Sequence, residues 1–160
     1  MAIDGNQFRQ VMGHFATGIT VITTHDGGGK LFFGLTANAF SSVSLEPPLC
    51  LVCVAKNAES YPAFAASGVF TVNFLGQTQE SLSRRFSKSG GDKFEAVGYR
   101  IGSNGCPILD EVLAHVECTI SQSVEAGDHT IHLGQVREMA MDHEAEPLLY
   151  FRGGYRNLRA

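Results

Sequence analysis

Alternating apolar and polar positions predict strands over much of the chain. The clearest case is a pair of long alternating segments, 113–124 and 130–139, which are separated by Gly127 and Asp128. Alternation on both sides of a glycine-containing turn is typical of a β-hairpin. Shorter apolar or β-branched runs predict further strands over 19–24, 30–37, 40–44, 49–54, 69–75 and 147–151.

Three short helices are predicted between the strands. Apolar residues recur at spacings of three and four within 7–15, which indicates an amphipathic helix. A second helix is predicted over 61–67, because a proline stands in its first turn and Gly68 follows its last residue. A third helix is predicted over 78–86, with Thr78 as its cap.

This pattern favours a mostly β fold. About seven strands accompany two or three short helices, and strands and helices do not alternate regularly along the chain. An antiparallel β-barrel with a few short helices is therefore favoured over a doubly wound parallel sheet. The 18 glycines agree with the many tight turns of such a fold. We expect residues 1–160 to form a single domain.

Composition and charge argue against several classes of function. The formal net charge is −4 and no basic run is longer than Arg84–Arg85, so the sequence lacks the positive surface typical of nucleic-acid binding. No stretch approaches the roughly 20 apolar residues of a membrane-spanning helix, and the amino terminus lacks the pattern of a signal peptide. We therefore expect a cytoplasmic protein without a membrane partner. Because only 18% of residues are charged, we expect a partner to cover part of the surface.

Cysteine and histidine patterns do not predict a metal or redox centre. Cys50 and Cys53 are spaced as in redox motifs, but within a strand they point to opposite faces. We interpret all four cysteines as free thiols. His129 and His132 also point to opposite faces of one strand, so no metal site is expected. The sequence also lacks a phosphate-binding glycine loop, a nucleophile elbow and a helical histidine pair.

Small and hydroxyl side chains form an unusual run over 36–44, directly after an apolar strand. One explanation is an exposed edge with turn-forming asparagine and serine. The other is a ring-binding segment, because small side chains let a flat ring approach the backbone while hydroxyl and amide groups bind its polar atoms. The residues alone favour the exposed edge.

Three longer segments resemble the short-chain flavin reductase family. They cover 34–49, 127–134 and 147–152, and the likeness extends from the segment 15–18 to Tyr155 in the family's order and spacing. The resemblance implies an FMN-binding split barrel, which is a Greek-key-like antiparallel barrel that forms a homodimer. It also implies a reductase that supplies reduced flavin to a partner monooxygenase of a two-component system.

The resemblance further implies a flavin site made of three segments. The first would line the isoalloxazine ring, and the other two would meet the ribityl chain and the phosphate. Ala39 stands where many members of the family have serine, which removes a hydrogen bond of about 1 kcal/mol unless a backbone group replaces it. The implied cofactor-binding residues are Thr36, Ala37, Asn38, Ala39, Ser42, Val43, Ser44, Cys53, Val54, Ala55, Lys56, Ser60, Arg84, Phe86, Ser87 and Lys93.

Several of these residues have other interpretations. Ser60 is also consistent with an ordinary helix cap and Lys56 with a solvated surface charge, and we expect only one of Arg84 and Arg85 to bind the flavin. The residues that the resemblance assigns to the nicotinamide side are His129, Phe151, Arg152, Gly153 and Tyr155. For His129 the alternative is a polar turn residue, and the arginines near the carboxyl terminus are also consistent with solvated charges.

The expected activity is hydride transfer from NADH or NADPH to FMN or FAD. The cofactors carry this chemistry themselves, so no catalytic side chain is expected and the protein positions the two rings. The lack of a clear basic cluster for an extra phosphate favours NADH, whereas the sequence leaves FMN and FAD open. Two alternatives remain: a tightly bound flavin that reduces another acceptor, and a flavin-binding module without turnover.

Overall fold

Strands dominate the structure, as the alternating pattern predicts. The computed structural model describes residues 2–158. Strands account for 47% of residues and helices for 14%. The helices are α1 (Gly5–Met12), α2 (Tyr61–Ser67) and α3 (Glu80–Phe86). The strands are β1 (Thr17–Gly18), β2 (Thr20–His25), β3 (Phe32–Ala37), β4 (Phe40–Leu45), β5 (Pro48–Ala55), β6 (Val69–Phe74), β7 (Tyr99–Ile101), β8 (Pro107–Leu109), β9 (Ala114–Ala126), β10 (His129–Met141), β11 (Leu149–Phe151) and β12 (Gly154–Arg156).

Seven strands form one antiparallel sheet, in the order β3-β2-β6-β9-β10-β5-β4. β9 and β10 form the predicted hairpin and pair along nearly their whole length. Gly127 lies in the turn with a φ of 63°, a left-handed value that glycine adopts without strain. Two shifts of register, after Leu133 and after Val136, are irregularities of the kind that bend and twist a long hairpin.

The main core lies inside the curl of this sheet. Ile22, Val52, Phe64 and Val72 come from β2, β5, α2 and β6, and all four are fully buried in one cluster. Because β2 and β5 are not neighbours in the sheet, the sheet must curl for them to share a core. Within residues 2–158 the edge strands β3 and β4 do not pair with each other, so the barrel is open between them. The mostly β antiparallel fold predicted from the sequence is confirmed.

A second core joins α3 to two smaller sheets, β1-β11-β12 and β7-β8. Its buried members are Ile19, Val21, Leu75, Phe86, Leu109 and Leu148. β11 falls within the strand predicted over 147–151. The sequence does not predict β7, β8 and β12, because each has only three residues and is too short to show alternation.

Helix α1 is confirmed with shifted bounds. The Asp4 carboxylate accepts the backbone N–H groups of Asn6 and Gln7, at 3.3 and 3.2 Å, and so caps the helix. The helix ends at Met12, three residues before the predicted end at Phe15. None of its residues is buried, so the predicted apolar face is exposed in this chain.

The prediction of Thr78 as the cap of α3 is wrong. The helix begins at Glu80, and the preceding residue is Gln79. The Gln79 side chain accepts the N–H of Gly76 at 2.9 Å and donates to the carbonyl oxygen of Asp110 at 2.9 Å. These two bonds fix the turn before the helix, which makes a hydroxyl cap unnecessary.

The cysteines are free thiols in the structure. Cys50 is buried and Cys53 is partly exposed on the opposite face of β5, as the sequence predicts. Burial raises the pKa of Cys106 to about 12, which makes this thiol a poor nucleophile.

Among residues 2–158, no three side chains of the types that bind metals lie close enough to hold an ion. Within the same residues, no helix has the length and apolar character that crossing a membrane requires.

Candidate functional site

Strand β3 offers an unpaired edge. Among residues 2–158 it pairs with β2 alone, so every second residue of β3 directs its backbone N–H and C=O groups away from the sheet. After β3 the chain turns at Asn38 and Ala39, and the Ala39 carbonyl oxygen accepts the N–H of Cys53 at 3.1 Å. The exposed-edge interpretation of 36–44 is therefore correct, since β3 and β4 are the two edges of the sheet. An exposed edge of small residues also presents backbone groups that can bind a ligand.

The β3 cleft, as we name it, is a cavity of about 400 Å³ beside this edge. It brings together the first segment, the third segment and the carboxy-terminal stretch that the sequence assigns to the cofactors. The lining residues are Ile19, Thr36, Ala37, Asn38, Arg84, Ser87, Tyr150, Gly153, Gly154 and Tyr155. Three distant parts of the chain thus meet in one cavity.

Ser83 connects the walls of the β3 cleft. Its backbone carbonyl oxygen accepts the hydroxyl of Thr36 at 2.6 Å, and its Oγ lies 2.9 Å from the hydroxyl oxygen of Tyr155. The bonds tie α3 to β3 on one side and to β12 on the other. Ser83 is fully buried, and no sequence pattern marks it, because its partners lie far away along the chain.

Arg84 and Arg85 differ in their surroundings. The Arg84 guanidinium lies 4.8 Å from the ring centroid of Tyr155, and its Nε donates to Oε1 of Glu80 at 2.8 Å. This bond raises the pKa of Arg84, so the side chain at the cleft is a permanent cation. Arg85 bonds instead to the carbonyl oxygen of Glu95 and does not line the β3 cleft. The structure therefore brings one arginine of the pair to the cavity.

The α2 cleft, as we name it, is a second cavity along β3, of about 300 Å³. It is lined by Phe32, Phe33, Gly34, Glu59, Ser60, Gly90, Gly91, Asp92, Lys93 and Phe94. Ser60 is buried, and its Oγ has no hydrogen-bond partner among residues 2–158. Ser60 occupies the N-cap position of α2, as the helix-cap interpretation expects, but its side chain makes no capping bond to the helix.

Lys93 supplies a positive charge to the α2 cleft. Its Nζ donates to the Gly34 carbonyl oxygen at 3.3 Å and lies 3.8 Å from Oε2 of Glu59. An unpartnered hydroxyl and an ammonium group in one cavity are suited to the oxygens of a phosphate. The two clefts open along the same strand, so a long ligand with a ring at one end and a phosphate at the other fits the donor set.

Phe86 is buried in the second core. A Cβ atom on Gly34 would lie 2.6 Å from Cε1 of Phe86, so only glycine lets α3 pack this closely on β3. Val54 is likewise fully buried, in the main core. Neither side chain lines a cleft, although the sequence assigns both to the cofactor.

Lys56 and His129 form a separate cluster at the β9–β10 turn. Lys56 forms an ion pair with Glu125, and its backbone N–H donates to the Asp128 carbonyl oxygen at 2.9 Å. Nδ1 of His129 lies 2.7 Å from Oδ1 of Asp128, and this bond lowers the pKa of Asp128. Neither Lys56 nor His129 lines the β3 cleft or the α2 cleft in this chain.

The remaining assigned residues lie on β4, on β5 and in the β11–β12 turn. An irregularity of register in β4 lies between Ser42 and Ser44, and neither these two residues nor Val43 lines either cleft. Cys53 and Ala55 are partly buried on β5. Phe151 and Arg152 adjoin Gly153 at the turn, but of the three only Gly153 lines the β3 cleft. Sequence reasoning did not find Ile19, Tyr150 and Glu59, whose ordinary apolar or charged character gives no signal.

Comparison with known proteins identifies the family. A family model described as "Flavin reductase like domain" matches residues 12–159. The chain belongs to the flavin reductase-like family. This membership confirms the resemblance seen in the sequence.

Individual relatives agree with this assignment. A probable flavin reductase of Rhizobium meliloti (strain 1021) is 44% identical over 95% of the chain, which spans only 48% of that relative's length. The reductase subunit HsaB of a flavin-dependent monooxygenase from Rhodococcus jostii (strain RHA1) is 40% identical, over 98% of the chain and 80% of the relative. The crystal structure of the Streptomyces globisporus C-1027 NADH:FAD oxidoreductase SgcE6, in complex with NAD and FAD fragments, superimposes with a TM-score of 0.92 at 37% identity, covering 99% of this chain and 97% of that one.

Proposed function

We propose that the protein is an NAD(P)H:flavin oxidoreductase that transfers hydride from a reduced nicotinamide to FMN or FAD. The observation that carries the proposal is the β3 cleft, where an unpaired strand edge, a fixed arginine and the carboxy-terminal turn meet. Family membership and the similarity to the Streptomyces NADH:FAD oxidoreductase support it. We propose further that residues 1–160 work as one flavin reductase-like domain.

In this proposal the isoalloxazine ring occupies the β3 cleft and the flavin phosphate occupies the α2 cleft. Backbone groups at the edge of β3 would hydrogen-bond the polar edge of the ring, which explains how Ala39 replaces the serine of other members. Ser60 and Lys93 would bind the phosphate oxygens. A bound flavin supplies the hydride-accepting chemistry, and these residues fix its position.

Arg84 has an electrostatic role in the proposal. Its guanidinium is held at the β3 cleft by Glu80 and by the ring of Tyr155. A fixed cation at this place stabilises the negative charge that accumulates on a flavin as it is reduced. The Arg84 side chain does not have to reorganise during the reaction, because its contacts with Glu80 and Tyr155 are present before the ligand binds.

We propose that the nicotinamide approaches from the β11–β12 turn, where Gly153 and Tyr155 line the cleft. His129 lies outside the β3 cleft of its own chain. A contact between His129 and the nicotinamide would therefore require a second copy of the protein, whose His129 reaches the cleft of the first. A homodimer is also supported by the exposed apolar side chains of α1 and of the β10 end. The functional partner is proposed to be a flavin-dependent monooxygenase, since HsaB is the reductase subunit of such an enzyme, and reduced flavin would reach this partner by diffusion.

Anaerobic oxidation of NADH with FMN or FAD added in turn tests this function. We expect NADH consumption that depends on added flavin, and free reduced flavin in the filtrate after ultrafiltration. Flavin that stays with the protein through gel filtration would support the alternative of a tightly bound cofactor. Flavin binding without any oxidation of NADH or NADPH would refute the proposal.

A further inference from the structure

A third cavity, the α1 cleft, lies between the end of α1 and the β11–β12 turn. Its volume is about 360 Å³. The lining residues are Arg9, Gln10, Gly13, His14, Arg152 and Gly153. Gly153 also lines the β3 cleft, so the two cavities adjoin at this residue. The sequence assigns no role to Arg9 or His14.

Two arginines and a histidine line the α1 cleft, and none of the carboxylates among residues 2–158 lines it. Neither Arg9 nor Arg152 takes part in any of the ion pairs found among residues 2–158. Nδ1 of His14 lies 2.8 Å from the Gln10 carbonyl oxygen and must donate to it, so Nε2 can donate to a ligand oxygen only when the ring carries a second proton. Two guanidinium groups that belong to none of the ion pairs among residues 2–158, together with His14 in its protonated form, suit the oxygens of phosphate groups.

The carboxyl end of a helix normally disfavours an anion. Here the carbonyl groups of the last turn already have donors. The carbonyl oxygens of Arg9 and Val11 accept the backbone N–H groups of Gly13 and His14, at 2.9 and 3.1 Å. The Gly13 carbonyl oxygen accepts the N–H of Arg152 at 2.8 Å. These bonds reduce the negative potential at the cavity and also fix the β11–β12 turn against α1.

Arg152 occupies a strained backbone position. Arg152 and Gly153 form the two-residue turn between β11 and β12, with φ values of 50° and 74°. Turns of this kind favour asparagine followed by glycine, and a long side chain at the first position is unusual. Strained residues cluster at ligand sites. The turn holds the Arg152 guanidinium 5.0 Å from the ring centroid of Phe151, beside the α1 cleft.

We propose that Arg9, His14 and Arg152 bind a phosphate of the pyridine dinucleotide whose nicotinamide enters the adjoining β3 cleft. This inference rests on the proposed function. The sequence shows no clear basic cluster for an extra phosphate, because Arg9 and Arg152 lie far apart along the chain. The phosphate is either the diphosphate that NADH and NADPH share or the 2′-phosphate of NADPH alone.

Steady-state kinetics of Arg9→Ala and Arg152→Asn test the proposal. Asparagine suits a positive φ, so Arg152→Asn removes the guanidinium without destabilising the turn. We expect each variant to raise KM for the dinucleotide about tenfold, because a charge-assisted bond is lost, while kcat stays unchanged. An equal rise for NADH and NADPH identifies the diphosphate, and a larger rise for NADPH identifies the 2′-phosphate.

Two controls separate phosphate binding from other effects. Lys30→Ala removes one charge from the exposed β2–β3 turn and should leave every KM unchanged. 1-Benzyl-1,4-dihydronicotinamide has no phosphate, so wild type and variants should reduce flavin with it at equal rates. Slower turnover of this donor by the variants would overturn the proposal, as would an unchanged KM for both dinucleotides or a rise in KM for FAD alone. Failure of the proposed function would appear differently, as wild-type protein that reduces flavin with none of the donors.

Discussion

Ser60 is 3% exposed, and its hydroxyl oxygen has no partner among residues 2–158. A buried hydroxyl without a partner costs about 1–3 kcal/mol. We therefore expect Ser60→Ala to be at least as stable as the wild type without flavin, but to bind FMN about tenfold more weakly because the phosphate loses a donor. Thermal unfolding without FMN measures the stability, which should stay the same or rise. The increase in Tm that FMN produces measures the affinity, and this increase should be smaller in the variant.

Ser67→Ala is the matched control for Ser60. The Ser67 hydroxyl lies 2.7 Å from Oγ1 of Thr24 and donates to the Val69 carbonyl oxygen at 3.0 Å, away from both clefts. This variant should lose stability and keep its affinity for FMN. Weaker binding by both variants, or unchanged binding by Ser60→Ala, would show that Ser60 does not contact the ligand.

His132 makes stability depend on pH. Its ring stacks on Phe64 in the core, with centroids 5.2 Å apart, and burial lowers the pKa of His132. Burial, with the charge of Arg100, lowers the pKa of His115 as well. An unfolded histidine, with a pKa near 6.5, then binds protons more readily than the folded one. The free energy of unfolding therefore has its full value above about pH 6.5. It falls at lower pH, by up to about 1.4 kcal/mol per pH unit for each histidine.

Urea unfolding of the ligand-free protein between about pH 7.5 and 5.5 checks this dependence. His132→Gln should be less stable than the wild type at the upper end but should lose less stability as the pH falls. His143→Gln removes an exposed histidine and should leave the wild-type profile unchanged. If the stability of His132→Gln fell with pH in parallel with that of the wild type, His132 would not be a source of the pH dependence.

The contact between α3 and β3 positions one wall of the β3 cleft. A Cβ atom on Gly34 would lie 2.6 Å from the Phe86 ring, so Gly34→Ala must displace this ring or the helix α3 that carries Phe86 and Arg84. We expect a loss of about 1–3 kcal/mol in unfolding free energy and a higher KM for flavin. Denaturant unfolding and steady-state kinetics measure the two effects.

Gly18→Ala is the control for this change, because a Cβ atom there would meet nothing within 4 Å. The smaller side chain of Phe86→Leu, introduced together with Gly34→Ala, should restore part of the lost flavin affinity. If Gly34→Ala left both stability and KM unchanged, α3 would not depend on this glycine for its position.

Elements with a strong local signal could be predicted from the sequence. α2 has the predicted bounds because Gly68 ends it with a φ of 69°, and the β9–β10 hairpin follows from alternation around Gly127. Which of Arg84 and Arg85 lines the β3 cleft could not be predicted, because this depends on which carbonyl, carboxylate or ring each side chain contacts. Clusters that join remote segments, such as Arg9 with Arg152, leave no trace in a local pattern.

At the scale of the whole molecule, large apolar side chains remain exposed. Phe8 and Met12 on α1, and Met139 and Met141 at the end of β10, are each more than half exposed. Exposed apolar surface of this extent marks a protein interface. We expect a homodimer of about twice 17.2 kDa in sedimentation velocity.

Met139→Glu should shift this equilibrium toward the monomer, because it would bury an unpaired charge in the interface. Leu31→Glu places the same charge on the exposed β2–β3 turn and should leave the dimer intact. A wild-type protein that sediments as a monomer at micromolar concentration would contradict the prediction. If Met139→Glu remained a dimer, the β10 end would not be the interface.

The free edge of β3 also bears on how this enzyme can evolve. Backbone amides are the same for every residue except proline, so a ring recognised by the strand edge does not depend on the identity of the side chains beside it. In the proposed site, mutations at positions 37–39 would leave the backbone hydrogen bonds to the flavin in place, whereas Thr36 is needed for its bond to Ser83. Libraries confined to these positions should therefore yield many variants that bind flavin and differ in reduction potential, which makes this segment a practical starting point for redesign.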